Sequence, residues 1–445
     1  MIQIAQILFI LSVLVILHEF GHYAAAKLFK VRVEKFYLFM DAGFSIIKKK
    51  IGETEWGIGW LPIGGYVKLS GMIDESMDTE QMKLPPQPWE FRSKPAWQRL
   101  IIMMGGIVVN VLLAILIYTI LFSTVGQKYV ATSEIQKNGL SFGLAGKSVG
   151  FKNGDIILSV DGEPLQKKFN WLIIDVLLSE KIELERLGKK VVLNLTDEQK
   201  GILLSEDKRL FMAPRYKQVL VDSVLPLSAA QTSGLQKNDR IIGLNGTRFN
   251  YFDELTDGFI ANENKIVNLT VVRNQKEIEL KAAVSKDGKL GFIANSKELK
   301  NNKDLQVVNK LSFFNAVPQA LNESWQLIVY NVKQFKLILK PKTGAYKKVS
   351  SPIGIARMLP TTWDWEYIWS FTALFSIGLA FMNCLPIPGL DGGHALFTIV
   401  EMVTGKTLSE KAMGNVQTGG MIFLLSLMAL TFGKDIYQLV LDKLL

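Results

Sequence analysis

Residues 2–17 carry no charge and only three polar side chains, Gln3, Gln6 and Ser12, and the run passes without a break into His18-Glu19-Phe20-Gly21-His22. Continued through the alanines at 24–26, it has the length of a membrane-spanning helix. An ionisable group inside such a span costs roughly a few kcal/mol or more unless it is paired or coordinated, so a cluster there marks function. Residues four apart share a helix face, and His18 and His22 can therefore offer two imidazole nitrogens to one metal ion with Glu19 beside them. Zinc held by two histidines and a third protein ligand keeps one position for water and lowers its pKa; Glu19 stands where it can take that proton. The plainer reading is a helix end at the interface, with its polar residues among lipid headgroups.

At 445 residues, with 49% hydrophobic and 21% charged residues, the chain is too apolar for a soluble protein of this length and too charged to lie wholly in a membrane. It is expected to mix spans with soluble domains. Its single cysteine, Cys384, excludes an internal disulfide and a cysteine-based structural zinc site. The net charge is +10, but the lysines are scattered or juxtamembrane, so they read as topology signals and no nucleic-acid partner is expected. The alanines at 24–26 mimic a signal-peptide cleavage site; no basic residue precedes the run, and cleavage there would discard the metal cluster, so a retained first span is expected.

Lys27, Lys30, Arg32 and Lys35 follow the first span and nothing positive precedes it, which puts the N-terminus outside and this loop in the cytoplasm. His18 then lies about 20 Å along the helix, in the inner half of a hydrocarbon core about 30 Å thick. Residues 43–47 and 55–60, around a Gly52-Glu53 turn, read as hairpin strands, and 64–69 continue the pattern. Strands so rich in Trp, Ile and Gly beside a membrane helix suggest a sheet dipping toward the site, although an ordinary cytoplasmic hairpin fits equally well. Residues 72–95 read as an acidic, Pro-rich linker. A second span is expected over 100–122, where Gly105-Gly106 and a lone Asn110 are explained by packing against the first.

Between 126 and 309 an internal repeat appears. Gly150-Phe151-Lys152-Asn153-Gly154-Asp155-Ile156-Ile157 with Val160-Asp161-Gly162 recurs as Gly234-Leu235-Gln236-Lys237-Asn238-Asp239-Arg240-Ile241 with Leu244-Asn245-Gly246. The pattern resembles the PDZ family, whose members take a peptide as an added strand; plain spacer domains are the alternative. Residues 316–339 are amphipathic and are expected along the outer membrane surface. That placement leaves Lys340, Lys342, Lys347 and Lys348 outside, against the positive-inside tendency. The next apolar run, 367–390, ends in Asn383-Cys384-Leu385-Pro386-Ile387-Pro388-Gly389-Leu390-Asp391-Gly392-Gly393-His394. Such a sequence cannot be a regular helix, and broken backbone at membrane depth is tolerated where it lines a cavity. Asp391 or His394 is available there as a third ligand. A last span is expected over 416–432.

His18-Glu19-Phe20-Gly21-His22 in a first span, with an Asn-x-x-Pro-x-Pro-x-x-Asp-Gly pattern from Asn383 to Gly392, resembles the site-two protease family of intramembrane zinc metalloproteases; so does the segment 57–68 containing Gly64, Gly65 and Tyr66. The resemblance covers essentially the whole chain. One departure is that no proline follows the glycine in Gly106-Ile107-Val108-Val109-Asn110. The resemblance implies zinc held by His18, His22 and Asp391, Glu19 as catalytic carboxylate, and Asn383 with Gly64, Gly65 and Tyr66 contacting substrate. It further implies a bacterial inner-membrane enzyme, its termini and PDZ-like domains periplasmic, that cleaves anti-sigma factors and signal-peptide remnants and uses the outer domains as a gate.

The fold class expected is thus a multi-domain membrane protein with an α-helical core of four spans, a membrane-associated β-hairpin region and two β-rich PDZ-like domains. Its segments are 1–30 (first span), 31–98 (loop with strands), 99–125 (second span), 126–214 and 215–309 (PDZ-like), 310–364 (amphipathic), 365–410 (third span) and 411–445 (fourth span). The competing functions are a PDZ-based membrane scaffold, which needs no metal cluster, and a metal transporter, which needs polar residues across the whole membrane.

Overall fold

The uncharged N-terminal run forms one helix, α1 (Ile2–Leu28), in a computed structural model that describes residues 2–62, 64–72, 85–205, 211–217, 220–294, 306–406 and 409–444. Half of the linker assigned to 72–95, residues 73–84, falls outside the described residues. The chain divides into two compact units: Met1–Gly126, Lys310–Phe335 and Lys348–Leu445 form the first, Gln127–Asn309 and Lys336–Lys347 the second.

In the first unit α1 is followed by a four-stranded sheet of β1 (Val33–Leu38), β2 (Met40–Ile51), β3 (Thr54–Leu61) and β4 (Tyr66–Leu69), in the order β2-β3-β1-β4. β2 and β3 form the expected hairpin. The strand pattern expected over 64–69 is present as β4, which lies at the edge opposite β2, antiparallel to β1, while β1 runs parallel to β3. The sequence reading missed β1 because Glu34 and Lys35 interrupt its apolar residues and its burial does not alternate. Parallel pairing with β3 is a non-local contact without a turn signature. β2 is an edge strand on which Phe44, Ile46, Ile47 and Ile51 are all exposed.

The long helices that follow are α2 (Ala96–Thr124), α3 (Phe313–Ile338, its last residues in the second unit), α4 (Trp365–Cys384), α5 (Asp391–Thr404) and α6 (Glu410–Leu444). Among the described residues, four helices are long and apolar enough to cross a membrane, at Ile2–Leu28, Ala96–Thr124, Trp365–Cys384 and Ala412–Gln438. With the sheets, they fit a multi-pass membrane protein with a β-rich part. α2 packs on α1, α4 and α5, with Arg99 on α2 paired to Glu401 on α5. Between α4 and α5 the chain breaks at Pro386 and Pro388, neither of which has an N–H to continue a helix. The last helix braces this break, its Gly420 lying directly against the Pro388 carbonyl.

The second unit carries the sequence repeat as a structural one. Ile156–Val160, Glu163–Pro164, Lys181–Arg186 and Lys189–Asn194 form one sheet; Arg240–Leu244, Thr247–Arg248, Ile266–Arg273 and Lys276–Ala283 form another with the same strand order. Each has a helix after its second strand, Phe169–Leu178 and Phe252–Ala261. The repeated residues have matching work. Arg186 donates twice to Asp155, both at 2.7 Å, and Arg273 does the same to Asp239. Each arginine also donates to the first glycine of its motif, Gly150 or Gly234, at 2.8 Å. Asp161 and Asn245 sit at φ 51° and 48°, where a short polar side chain is tolerated and the following glycine completes the turn. Lys340 lies 3.0 Å from Asp197, and Lys342 lies 3.0 Å from Glu198. Two lysines that strained the topology argument are therefore partners of acidic residues within this unit.

Candidate metal centre

α1 turns His18 and His22 toward α2, and small residues let the two backbones touch. A Cβ placed on Gly21 would lie 2.3 Å from the Gly105 carbonyl oxygen, and one on Gly105 would lie 2.5 Å from that of Gly21. At Gly106 a Cβ would meet His22 Nε2 at 2.5 Å and His18 Cε1 at 2.6 Å, so only a bare backbone leaves room for the two rings. The third group arrives from beyond the proline break: Asp391 occupies the first turn of α5.

These elements bring three donor atoms together. Asp391 Oδ2 lies 3.1 Å from His18 Nε2 and 3.2 Å from His22 Nε2, and the two Nε2 atoms are 3.4 Å apart. Tetrahedral zinc with ligand bonds of about 2.0–2.1 Å requires donors about 3.3–3.4 Å apart. Asp391 Oδ2 is buried and makes no hydrogen bond in this arrangement, so the three atoms face a shared space rather than one another. Both imidazoles are buried and the donor set is two nitrogens and a carboxylate oxygen, which suits zinc. His394, the other candidate ligand, instead faces the Gln417 amide on α6.

The surroundings orient the donors. His22 Nδ1 donates to the Ile102 carbonyl at 2.8 Å, which leaves Nε2 free as a lone pair. The Asn110 amide nitrogen lies 3.1 Å from His18 Nδ1, and the Asn383 amide nitrogen lies 3.1 Å from His18 Nε2. Ser376 on α4 donates to the Asn110 carbonyl at 2.7 Å, tying α4 to the same turn of α2. Asn110 therefore finds its partner on the first span, as expected of an amide packed against it, and that partner is the His18 imidazole. A lone amide in a membrane helix signals that it has a partner, but not which one. Glu19 stands among His18, His22 and Asp391, with the backbone N–H of Val67 on β4 beside its carboxylate.

Residues 64–66 enter beside α1. Gly65 abuts the Tyr37 carbonyl and the Val15 side chain, where a Cβ would lie 2.6 and 2.7 Å from them. Gly64 adopts φ 92°, which glycine accommodates. The Tyr66 hydroxyl donates to Asp41 at 3.0 Å and its ring stacks on Tyr37, 5.3 Å between centroids. Burial and the Asp41 carboxylate push the Tyr66 phenol well above its usual range. Its hydroxyl is therefore engaged within the sheet.

Comparison with known proteins gives one family and a consistent group of relatives. Residues 6–427 match peptidase family M50. The chain is similar to the regulator of sigma-E protease RseP of Escherichia coli (strain K12), 29% identical over 462 residues that cover 98% of this chain and 99% of that protein. It is similar to protease RseP of Yersinia pestis, 28% identical with 98% and 99% covered, and to a putative zinc metalloprotease of Vibrio cholerae, 28% identical with 96% and 97% covered.

Proposed function

The chain belongs to peptidase family M50 and is an intramembrane protease, and from that premise we propose that it hydrolyses peptide bonds within transmembrane segments with zinc held by His18, His22 and Asp391. The observation that carries the reading is the convergence of three donor atoms, 3.1–3.4 Å apart, at the meeting point of α1 and α5. A scaffold without activity has no use for such a cluster. Zinc bound there supplies a Lewis acid that polarises a peptide carbonyl and lowers the pKa of water. Glu19 accepts the proton of the attacking water and returns it to the leaving amine.

A substrate helix must first be unwound, because its scissile carbonyl is occupied by its own hydrogen bond. The free edge of β4, whose Val67 N–H lies at Glu19, can hold the unwound segment extended, with Gly64, Gly65 and Tyr66 shaping its approach. Asn383, within 3.1 Å of His18 Nε2, can donate its amide to a substrate carbonyl next to the cleaved bond. The two repeats of the second unit act as PDZ-like domains that exclude substrates with bulky outer portions. Relatives named for sigma-E regulation support single-span anti-sigma factors as substrates, and signal-peptide remnants fit the same site. The chain resides in a bacterial inner membrane with its termini and PDZ-like domains on the periplasmic side.

The test is a single-span substrate reconstituted with the protein in vesicles. Glu19→Gln is expected to abolish cleavage while the purified variant keeps its zinc. Continued cleavage by that variant removes Glu19 as the base.

A further inference from the structure

We propose that Asn110 is a positioning residue that sets the tautomer of His18, accepting a hydrogen bond from Nδ1–H whenever Nε2 faces the metal. The proposal rests on the zinc reading above. The two histidines are oriented by unlike partners. His22 Nδ1 faces the Ile102 backbone carbonyl, which can only accept, so in the neutral ring Nε2 is the lone-pair nitrogen. His18 Nδ1 faces a side-chain amide, which offers a donor at one end and an acceptor at the other.

That difference matters because of what surrounds His18 Nε2. Asp391 Oδ2 and the Asn383 amide nitrogen both lie 3.1 Å from it, so one neighbour favours a proton there and the other a lone pair. With the Asn110 nitrogen toward Nδ1, 3.1 Å away, the amide donates and Nε2 carries the proton, a tautomer that cannot bind metal. Half a turn of the amide about χ2 puts Oδ1 in the same place; it accepts Nδ1–H and Nε2 becomes a ligand. Asn110 is fully buried and its Oδ1 makes no hydrogen bond, so no competing partner holds the amide in the first orientation. The Ser376 hydroxyl on the Asn110 backbone carbonyl and the missing side chain at Gly106, one turn earlier, keep this stretch of α2 against the ring.

The experiment compares wild type, Asn110→Leu and Asn110→Asp, purified in detergent, by zinc retention against a competing chelator and by the visible spectrum after cobalt exchange. Leucine keeps the branched shape without polar atoms, and aspartate keeps the acceptor. Asn110→Leu is expected to hold zinc about 10–100-fold more weakly, as for other partners of metal-bound histidines, with Asn110→Asp within a few-fold of wild type. The cobalt spectrum of Asn110→Leu should lose the tetrahedral intensity that Asn110→Asp retains. Equal retention in wild type and Asn110→Leu overturns the proposal. Equal loss in both variants, with circular dichroism showing the fold intact, assigns the effect to something other than the acceptor and overturns it too. Failure of wild type to bind zinc overturns the metal reading itself and is told apart by its occurrence before any substitution.

Discussion

At the scale of single residues, the chain relies on charges and amides placed where water is excluded, each meeting a specific partner. The three donor atoms belong to residues that the motifs single out, because HExxH and an Asp-Gly after a proline break are chemically unusual in apolar runs. Their orienting partners were not legible. Ile102 acts through its backbone carbonyl, which leaves no mark on the sequence, and Asn110 reads as a helix-packing amide. The same holds in the second unit. The repeat singles out Asp155 and Asp239, but Arg186 and Arg273 lie outside the matched stretches, although they satisfy those carboxylates. Both aspartates are fully buried, so removing an arginine strands a charge. Arg186→Ala or Arg273→Ala is expected to destabilise its repeat by about 3–5 kcal/mol. Pulse proteolysis across a urea series should show new cuts in the second unit at lower urea, with the first unit unchanged; an unshifted midpoint counts against the pair.

At the scale of elements, helices were easier to foresee than the sheet. Apolar length identifies α1, α2, α4 and the last helix, and prolines locate the break before α5. The order β2-β3-β1-β4 depends on a parallel pairing between β1 and β3 that no turn dictates, and it puts β4, not the hairpin, beside Glu19. The second unit is also inserted in a way that permits a direct test of gating. Its entering strand Gln127–Val130 pairs antiparallel with its leaving strand Gln306–Asn309, so Gln127 lies opposite Asn309. In the first unit, Leu311 N–H donates to the Phe122 carbonyl, so the chain leaves and re-enters that unit at neighbouring residues. Replacing 127–309 by a short Gly/Ser linker should leave the first unit folded. If the repeats exclude uncut substrates, the shortened protein is expected to cleave a single-span substrate that still carries its outer domain. Continued resistance of that substrate contradicts a gate.

At the scale of the whole molecule, one helix at the start of the chain and another almost four hundred residues later converge on the candidate metal site. That convergence depends on α2 remaining wedged against α1 through Gly21 and Gly105, and on the bare backbone at Gly106 that leaves room for the two rings. Membership of peptidase family M50 gives the activity its class, while the proposed metal dependence rests on these donors. The most direct measurement is zinc content with X-ray absorption at the zinc edge, on wild type and Asp391→Asn purified in parallel. The account predicts one zinc per chain in wild type, with two imidazoles and an oxygen ligand from the protein, and loss of stoichiometric zinc in Asp391→Asn. Full zinc content in Asp391→Asn with an unchanged spectrum would contradict it.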